Sequence, residues 1–118
     1  METISYKRKI FCQNKNLEIV LITWPRGSMS RAHDHGRSQG IIKILKGKIV
    51  QEIYSKRTKE FRKRSFHNQN EIFFETPDII HKMGNASRTK TAKTIHIYTP
   101  KLKMTIYQDS QLKKRSSS

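Results

Sequence analysis

The sequence predicts an all-β fold, a small antiparallel jelly-roll barrel of about eight strands with little or no helix. Three observations predict it. Segments rich in Ile, Val, Phe, Tyr and Thr recur about every eight to fifteen residues, and their apolar positions alternate or run together as in strands. No long stretch carries the spacing of an amphipathic helix. A chain of 118 residues makes one domain, in which many short strands hide their edges best by closing on themselves.

The first strand is expected from Ile4 to Cys12, with Ile4, Tyr6, Arg8, Ile10 and Cys12 on one face, because side chains along a strand alternate. The second is Leu17 to Trp24, broken by Pro25-Arg26-Gly27. Ile41 to Leu45 and Lys48 to Tyr54 flank Lys46-Gly47, where glycine can take the positive φ of a tight hairpin turn. Glu71 to Glu75, Ile79 to Met83, Lys93 to Thr99 and Leu102 to Tyr107 complete the set, with turns at Thr76-Pro77-Asp78 and Gly84-Asn85. Lys56 to Arg64 is expected to be a solvated basic loop, followed by a polar loop from Ser65 to Asn70 that exposes His67. The barrel is expected to occupy residues 1–110, and 111–118 to be a basic, disordered tail.

Composition narrows the function. Twenty-five Lys and Arg against nine Asp and Glu leave a net charge of +16, which attracts acidic small molecules, nucleic acid and anionic surfaces alike. The longest aliphatic run, Ile19 to Ile22, is too short to span a membrane, and no signal peptide is seen, so a cytoplasmic protein with no membrane partner is expected. One cysteine, Cys12, makes no internal disulfide and reads as a small core residue.

The histidines carry the chemistry. In His33-Asp34-His35 the spacing of two puts both imidazoles on one face and Asp34 on the other, a natural chelate for a metal. A barrel could bring His81 in from a distant strand as a third ligand, and His96 shares its face with Thr94 and Tyr98. Around the pair stand Gly27, Gly40 and Gly47, and Asn85 follows His81. This framing resembles the cupin family, whose first motif places a glutamate ligand where Gly40 stands. A site of three histidines without that carboxylate is similar to the cysteine dioxygenases. The resemblance extends to Tyr6-Lys7-Arg8, Trp24, Lys43-Ile44-Leu45-Lys46-Gly47, Ile80 to Asn85 and Thr94 to Pro100, nearly the whole chain.

The resemblance implies that His33, His35 and His81 hold Fe(II), and that L-cysteine and dioxygen are the small-molecule partners, converted to cysteine sulfinate. It implies that Arg8, assisted by Tyr6, binds the substrate carboxylate. Tyr98 would donate its hydroxyl to the substrate, His96 would orient Tyr98, and Thr94 would support His96. In animal members a cysteine at the position of Gly40 links to the tyrosine matching Tyr98; glycine here forms no such bond. Two other readings stay open: a dioxygenase for another small thiol acid, and a non-catalytic cupin that binds a ligand or nucleic acid through its basic surface. A monomer or weak oligomer is expected.

Overall fold

The computed structural model describes residues 6–113, and these form ten antiparallel strands in two five-stranded sheets. The strands are β1 (Lys7–Asn14), β2 (Leu17–Trp24), β3 (Ala32–Asp34), β4 (Gln39–Lys46), β5 (Ile49–Ser55), β6 (Phe61–His67), β7 (Ile72–Glu75), β8 (Ile79–Asn85), β9 (Ala92–Thr99) and β10 (Thr105–Tyr107). The first sheet runs β1-β2-β9-β4-β7 and the second β10-β3-β8-β5-β6. A single 3-10 turn at Asp109–Gln111 is the helical element among the described residues, and no helix there is long and apolar enough to cross a membrane.

Alternation builds the interior. Val20, Ile22 and Trp24 of β2, Ile42 and Ile44 of β4, Ile49 of β5 and Met83 of β8 are buried in one cluster between the sheets, with Tyr6 packed against it. A smaller cluster of Ala32, Tyr54, Ile80 and Leu112 packs on the other face of the second sheet, where Ala32 and Ile80 alternate with His33 and His81. The opposite face of the first sheet is apolar too. Ile19, Ile97, Ile41 and Phe74 stand in register across four strands, and Ile41, Ile72 and Phe74 are exposed.

Several expectations need correction. Lys46-Gly47 does not close a hairpin. Gly47 has φ +85°, as a tight turn requires, but the turn carries the chain from β4 in the first sheet to β5 in the second. Lys56 to Arg64 is not all loop: its second half starts β6, an edge strand whose outward Arg62, Lys63 and Arg64 concealed the strand pattern and discourage pairing with another edge. His67 ends that strand half-buried, stacked on Phe73 with ring centroids 4.0 Å apart. In β1 a register shift between Ile10 and Cys12 turns Cys12 to the side of Ile19, so it is a half-buried residue and not part of the core; Ile4 lies outside the described residues. Packing also passes the expected boundary at residue 110. Leu112 is buried and Lys113 bridges to Glu60, its carbonyl accepting from the Phe61 N–H at 2.9 Å. Ala32–Asp34 is a strand of its own, and 102–104 is not part of β10.

The alternation is directly testable. Ile42→Ala, which empties a fully buried position, should cost roughly 2–5 kcal/mol in urea unfolding. Its outward neighbour Ile41→Ala should cost less than about 1 kcal/mol. Equal losses would mean that β4 presents the wrong face.

Candidate metal centre

His33 on β3 and His81 on β8 are register partners, so their side chains leave the second sheet at the same level and on the same side. His35, two residues beyond His33, joins them from the end of β3. The Nε2 atom of His81 lies 3.0 Å from Nε2 of His33 and 3.0 Å from Nε2 of His35. All three residues are buried, and the three rings form a group of potential metal ligands. Asp34 points the other way, as its position predicts; it accepts from the Gly36 N–H at 2.9 Å and from the Tyr107 hydroxyl at 2.5 Å, which fixes the loop that aims His35.

The outer nitrogens decide the tautomers. His33 Nδ1 donates to the Arg31 carbonyl at 2.7 Å, and His81 Nδ1 donates to Oε1 of Gln51 at 2.7 Å. His35 Nδ1 faces Oε2 of Glu75 at 2.9 Å, and a carboxylate can only accept. Hydrogen bonds thus fix the Nδ1 proton on His33 and His81, the negative Glu75 oxygen beside His35 Nδ1 favours the same tautomer there by electrostatics, and the three Nε2 lone pairs face a common point. Burial, then the neighbouring His81, lowers the His33 pKa to about 3, which keeps that ring neutral.

Glu75 was not anticipated. It is the last residue of β7, wholly buried, with oxygens 2.9 Å from His35 Nδ1 and 3.0 Å from His81 Nδ1. These are contacts of ion-pair length, and neither oxygen has an in-line hydrogen bond. Burial by itself raises its pKa, but the adjoining His81 and His35 outweigh that and hold it below the usual carboxylate range. The site thus has an acid after all, behind the ligands and not among them. Its only signal in the sequence is an isolated Glu closing the apolar run Ile72-Phe73-Phe74. Gln51, inside the run Ile49 to Tyr54, was equally unremarked.

Across the interior, β9 carries a directed hydrogen-bond chain. The Trp24 indole N–H donates to Thr94 Oγ1 at 2.9 Å, Thr94 Oγ1 lies 2.7 Å from His96 Nε2, and His96 Nδ1 lies 2.8 Å from the Tyr98 hydroxyl oxygen. Indole can only donate, and His96 is the acceptor within reach of the Thr94 hydroxyl, so the proton of His96 sits on Nδ1 and points to Tyr98. Burial between Val20 and Ile42 lowers the His96 pKa to about 3. Burial raises the Tyr98 pKa well above its ordinary value. Tyr98 is left as a neutral hydroxyl free to donate, its ring centroid 5.1 Å from that of His35. Gly40 makes this placement possible, since a Cβ there would lie 3.0 Å from Tyr98 Cε1.

An open cavity of about 950 Å³, lined by Tyr6, Arg8, Arg31, His33 and Lys82 among others, leads to a recess of about 20 Å³ that also touches His81, His96 and Tyr98. Of the residues singled out in the sequence, Tyr6, Arg8, His33, His81, His96 and Tyr98 all line that recess. Arg8 is an exposed residue of β1 that also lines the recess. Its side chain is 30% exposed and its Nη2 donates to Oε2 of buried Glu18 at 3.1 Å. Glu18, opposite Tyr98 in the sheet, is a second acid that the apolar pattern of β2 concealed. Asn85 serves the scaffold: its amide donates to the carbonyls of Trp24 and Lys90.

A profile of cysteine dioxygenase type I matches residues 2–110. The chain belongs to the cysteine dioxygenase family. Among its relatives, cysteine dioxygenase type 1 of Homo sapiens is 28% identical over 102 residues, which cover 80% of this chain and 51% of that protein. The Danio rerio protein of the same name is 23% identical over 94 residues, 74% of this chain and 47% of the other. The chain thus spans about half the length of these curated cysteine dioxygenases. Its fold is that of a double-stranded β-helix protein from Klebsiella pneumoniae, with TM-score 0.70 at 12% identity over 88% of this chain and 85% of the other. It is likewise that of a cupin family protein from Methanocaldococcus jannaschii, with TM-score 0.69 at 13% identity over 82% of each chain.

The three-histidine site fits a metal ion on its own chemistry. Lone pairs 3.0 Å apart repel unless a cation lies between them, and two nitrogens bound at right angles about 2.1 Å from one ion are separated by about that distance. Imidazoles suit first-row divalent metals. The protonation states predict how metal-free protein responds to acid. His33 and His96 take up protons in the unfolded chain near pH 6.5 but in the folded chain only near pH 3. The unfolded state then binds more protons between those values, and stability falls as pH is lowered through that window. Urea midpoints measured across it should decline, and His96→Gln should flatten the decline; a wild-type midpoint constant over this range would contradict the assignment.

Proposed function

We propose that the protein is an Fe(II)-dependent thiol dioxygenase that adds both atoms of dioxygen to the sulfur of L-cysteine, giving cysteine sulfinate. The observation that carries this reading is a single recess lined by His33 and His81 of the imidazole cluster together with Tyr98 and Arg8. His33, His35 and His81 would hold the iron, which when bound supplies the redox chemistry that lets dioxygen react with a thiol.

The remaining residues bind and orient. Arg8 offers charge-assisted N–H donors to the substrate carboxylate, and Glu18 anchors one edge of its guanidinium, so the other edge meets the cavity in a fixed direction. Arg31 and Lys82 at the mouth add to the attraction for an anion, although Lys82 is already paired with Asp109 at 2.7 Å. Tyr6, with its ring 4.7 Å from that of Trp24, forms the wall beside Arg8. The Tyr98 hydroxyl keeps its proton and presents it to the substrate, because the chain from Trp24 through His96 fills its acceptor side. Cys12 is free, as befits the reducing cytoplasm where we place the protein.

Sulfinate formation from cysteine, measured with oxygen uptake on iron-loaded protein, tests the reading. Arg8→Ala should raise KM for cysteine about 10–100-fold, the loss of a hydrogen bond to a charged group. Tyr98→Phe should lower kcat about tenfold or more with a smaller effect on KM. Faster turnover of a thiol acid lacking the amine would reassign the substrate. Thiol-independent behaviour with salt-sensitive binding of nucleic acid would favour the non-catalytic reading.

A further inference from the structure

The sequence places Gly40 where a ligand carboxylate stands in other cupins, yet the interior is not without one. Gly40 of β4 and Glu75 of β7 are register partners, so a carboxylate enters at the same level from the neighbouring strand. The ideal Cβ of Gly40 would lie 3.7 Å from Glu75 Cβ and 3.0 Å from the Tyr98 ring, so the bare glycine leaves this level to Glu75 and Tyr98.

A carboxylate out of water costs several kcal/mol unless positive charge lies close. Glu75 has oxygens 2.9 Å from Nδ1 of His35 and 3.0 Å from Nδ1 of His81, both neutral rings in the tautomers above, and among the described residues no Lys or Arg is paired with it. With the three Nε2 lone pairs turned to a common point, an ion held there would be the source of that charge, reached through the two imidazole rings. Glu75 is absent from the set of side chains whose donor atoms converge, so it acts through the ligands.

We infer that Glu75 is the counter-charge of the metal centre, a positioning residue set against the Nδ1 atoms of His35 and His81 that would reduce the net charge of a divalent ion and its pocket from +2 to +1. Gln51 is its neutral companion, with Oε1 2.7 Å from the same His81 Nδ1 that Glu75 approaches. The charge is therefore portable: a carboxylate at position 51 would reach the same ring.

The inference rests on the metal site of the proposed function and not on its thiol chemistry. Its test is the affinity of the purified full chain for Fe(II) alone, measured anaerobically at neutral pH by chelator competition. Glu75→Gln should weaken binding about 10–100-fold, the range for removing a partner behind a metal-bound histidine. Adding Gln51→Glu to that variant should restore at least tenfold of the loss, which a packing role would not do. Unchanged affinity in Glu75→Gln, or a loss that Gln51→Glu leaves unrepaired, overturns the inference. Should Glu75→Gln fail to fold, Gln51→Glu alone is expected to tighten binding severalfold, and binding no tighter than wild type overturns it. Iron-loaded protein that makes no sulfinate but keeps this affinity series would defeat the dioxygenase reading and leave the assignment of Glu75 standing; the converse result separates them as cleanly.

Discussion

Two imidazole nitrogens held 3.0 Å apart with no proton between them repel, and the register of β3 against β8 forces His33 and His81 into that position. The strands cannot slip to relieve it. A shift of one residue would turn β8 over and carry His81 and Met83, which share its inner face and are buried, to the other side of the sheet. The barrel therefore holds three ligands together at the cost of their mutual repulsion, and a cation turns the same geometry from a strain into a bond. Much of the surrounding structure serves this trio: Arg31 and Gln51 set the tautomers, Asp34 steers the loop, and Glu75 contributes charge.

The two halves of the pocket follow different physics. On the second sheet the imidazoles have their lone pairs inward and are electron donors. On the first sheet the chain from Trp24 to Tyr98 runs the other way and ends in an O–H that can only give its proton. With an ion held by the imidazoles, a small molecule entering between them would meet an electron-accepting site on one side and a hydrogen-bond donor on the other, with Arg8 at the rim. On the proposed reading, that asymmetry suits an anionic substrate with acceptors at both ends.

How much of this was readable depends on where each interaction lives. Leu17 to Trp24 was readable to the residue, because half-buried and buried positions alternate along it without interruption. The ligands were readable because spacing of two on a strand is a local fact and because their glycine frame resembles a known family. β6 was not, since Arg62 to Arg64 place three charges in succession on a strand that lies at a sheet edge. The Gly47 turn was read locally as a hairpin, but which sheet each flanking strand joins is decided by β9 and β8, far along the chain. Glu75 and Glu18 were hidden for the same reason: a lone acid in an apolar strand says nothing about which histidine or arginine the fold brings beside it.

The outward side of the first sheet has a consequence of its own. Ile19, Ile97, Ile41 and Phe74 form a nonpolar band on a molecule of net charge +16. In dilute buffer, molecules carrying that charge keep one another at a distance, and the band stays bare. Raising ionic strength shortens the reach of the repulsion to a few ångströms while strengthening the tendency of oily surfaces to coalesce. Solubility is thus an electrostatic property of this chain, and salt works against it.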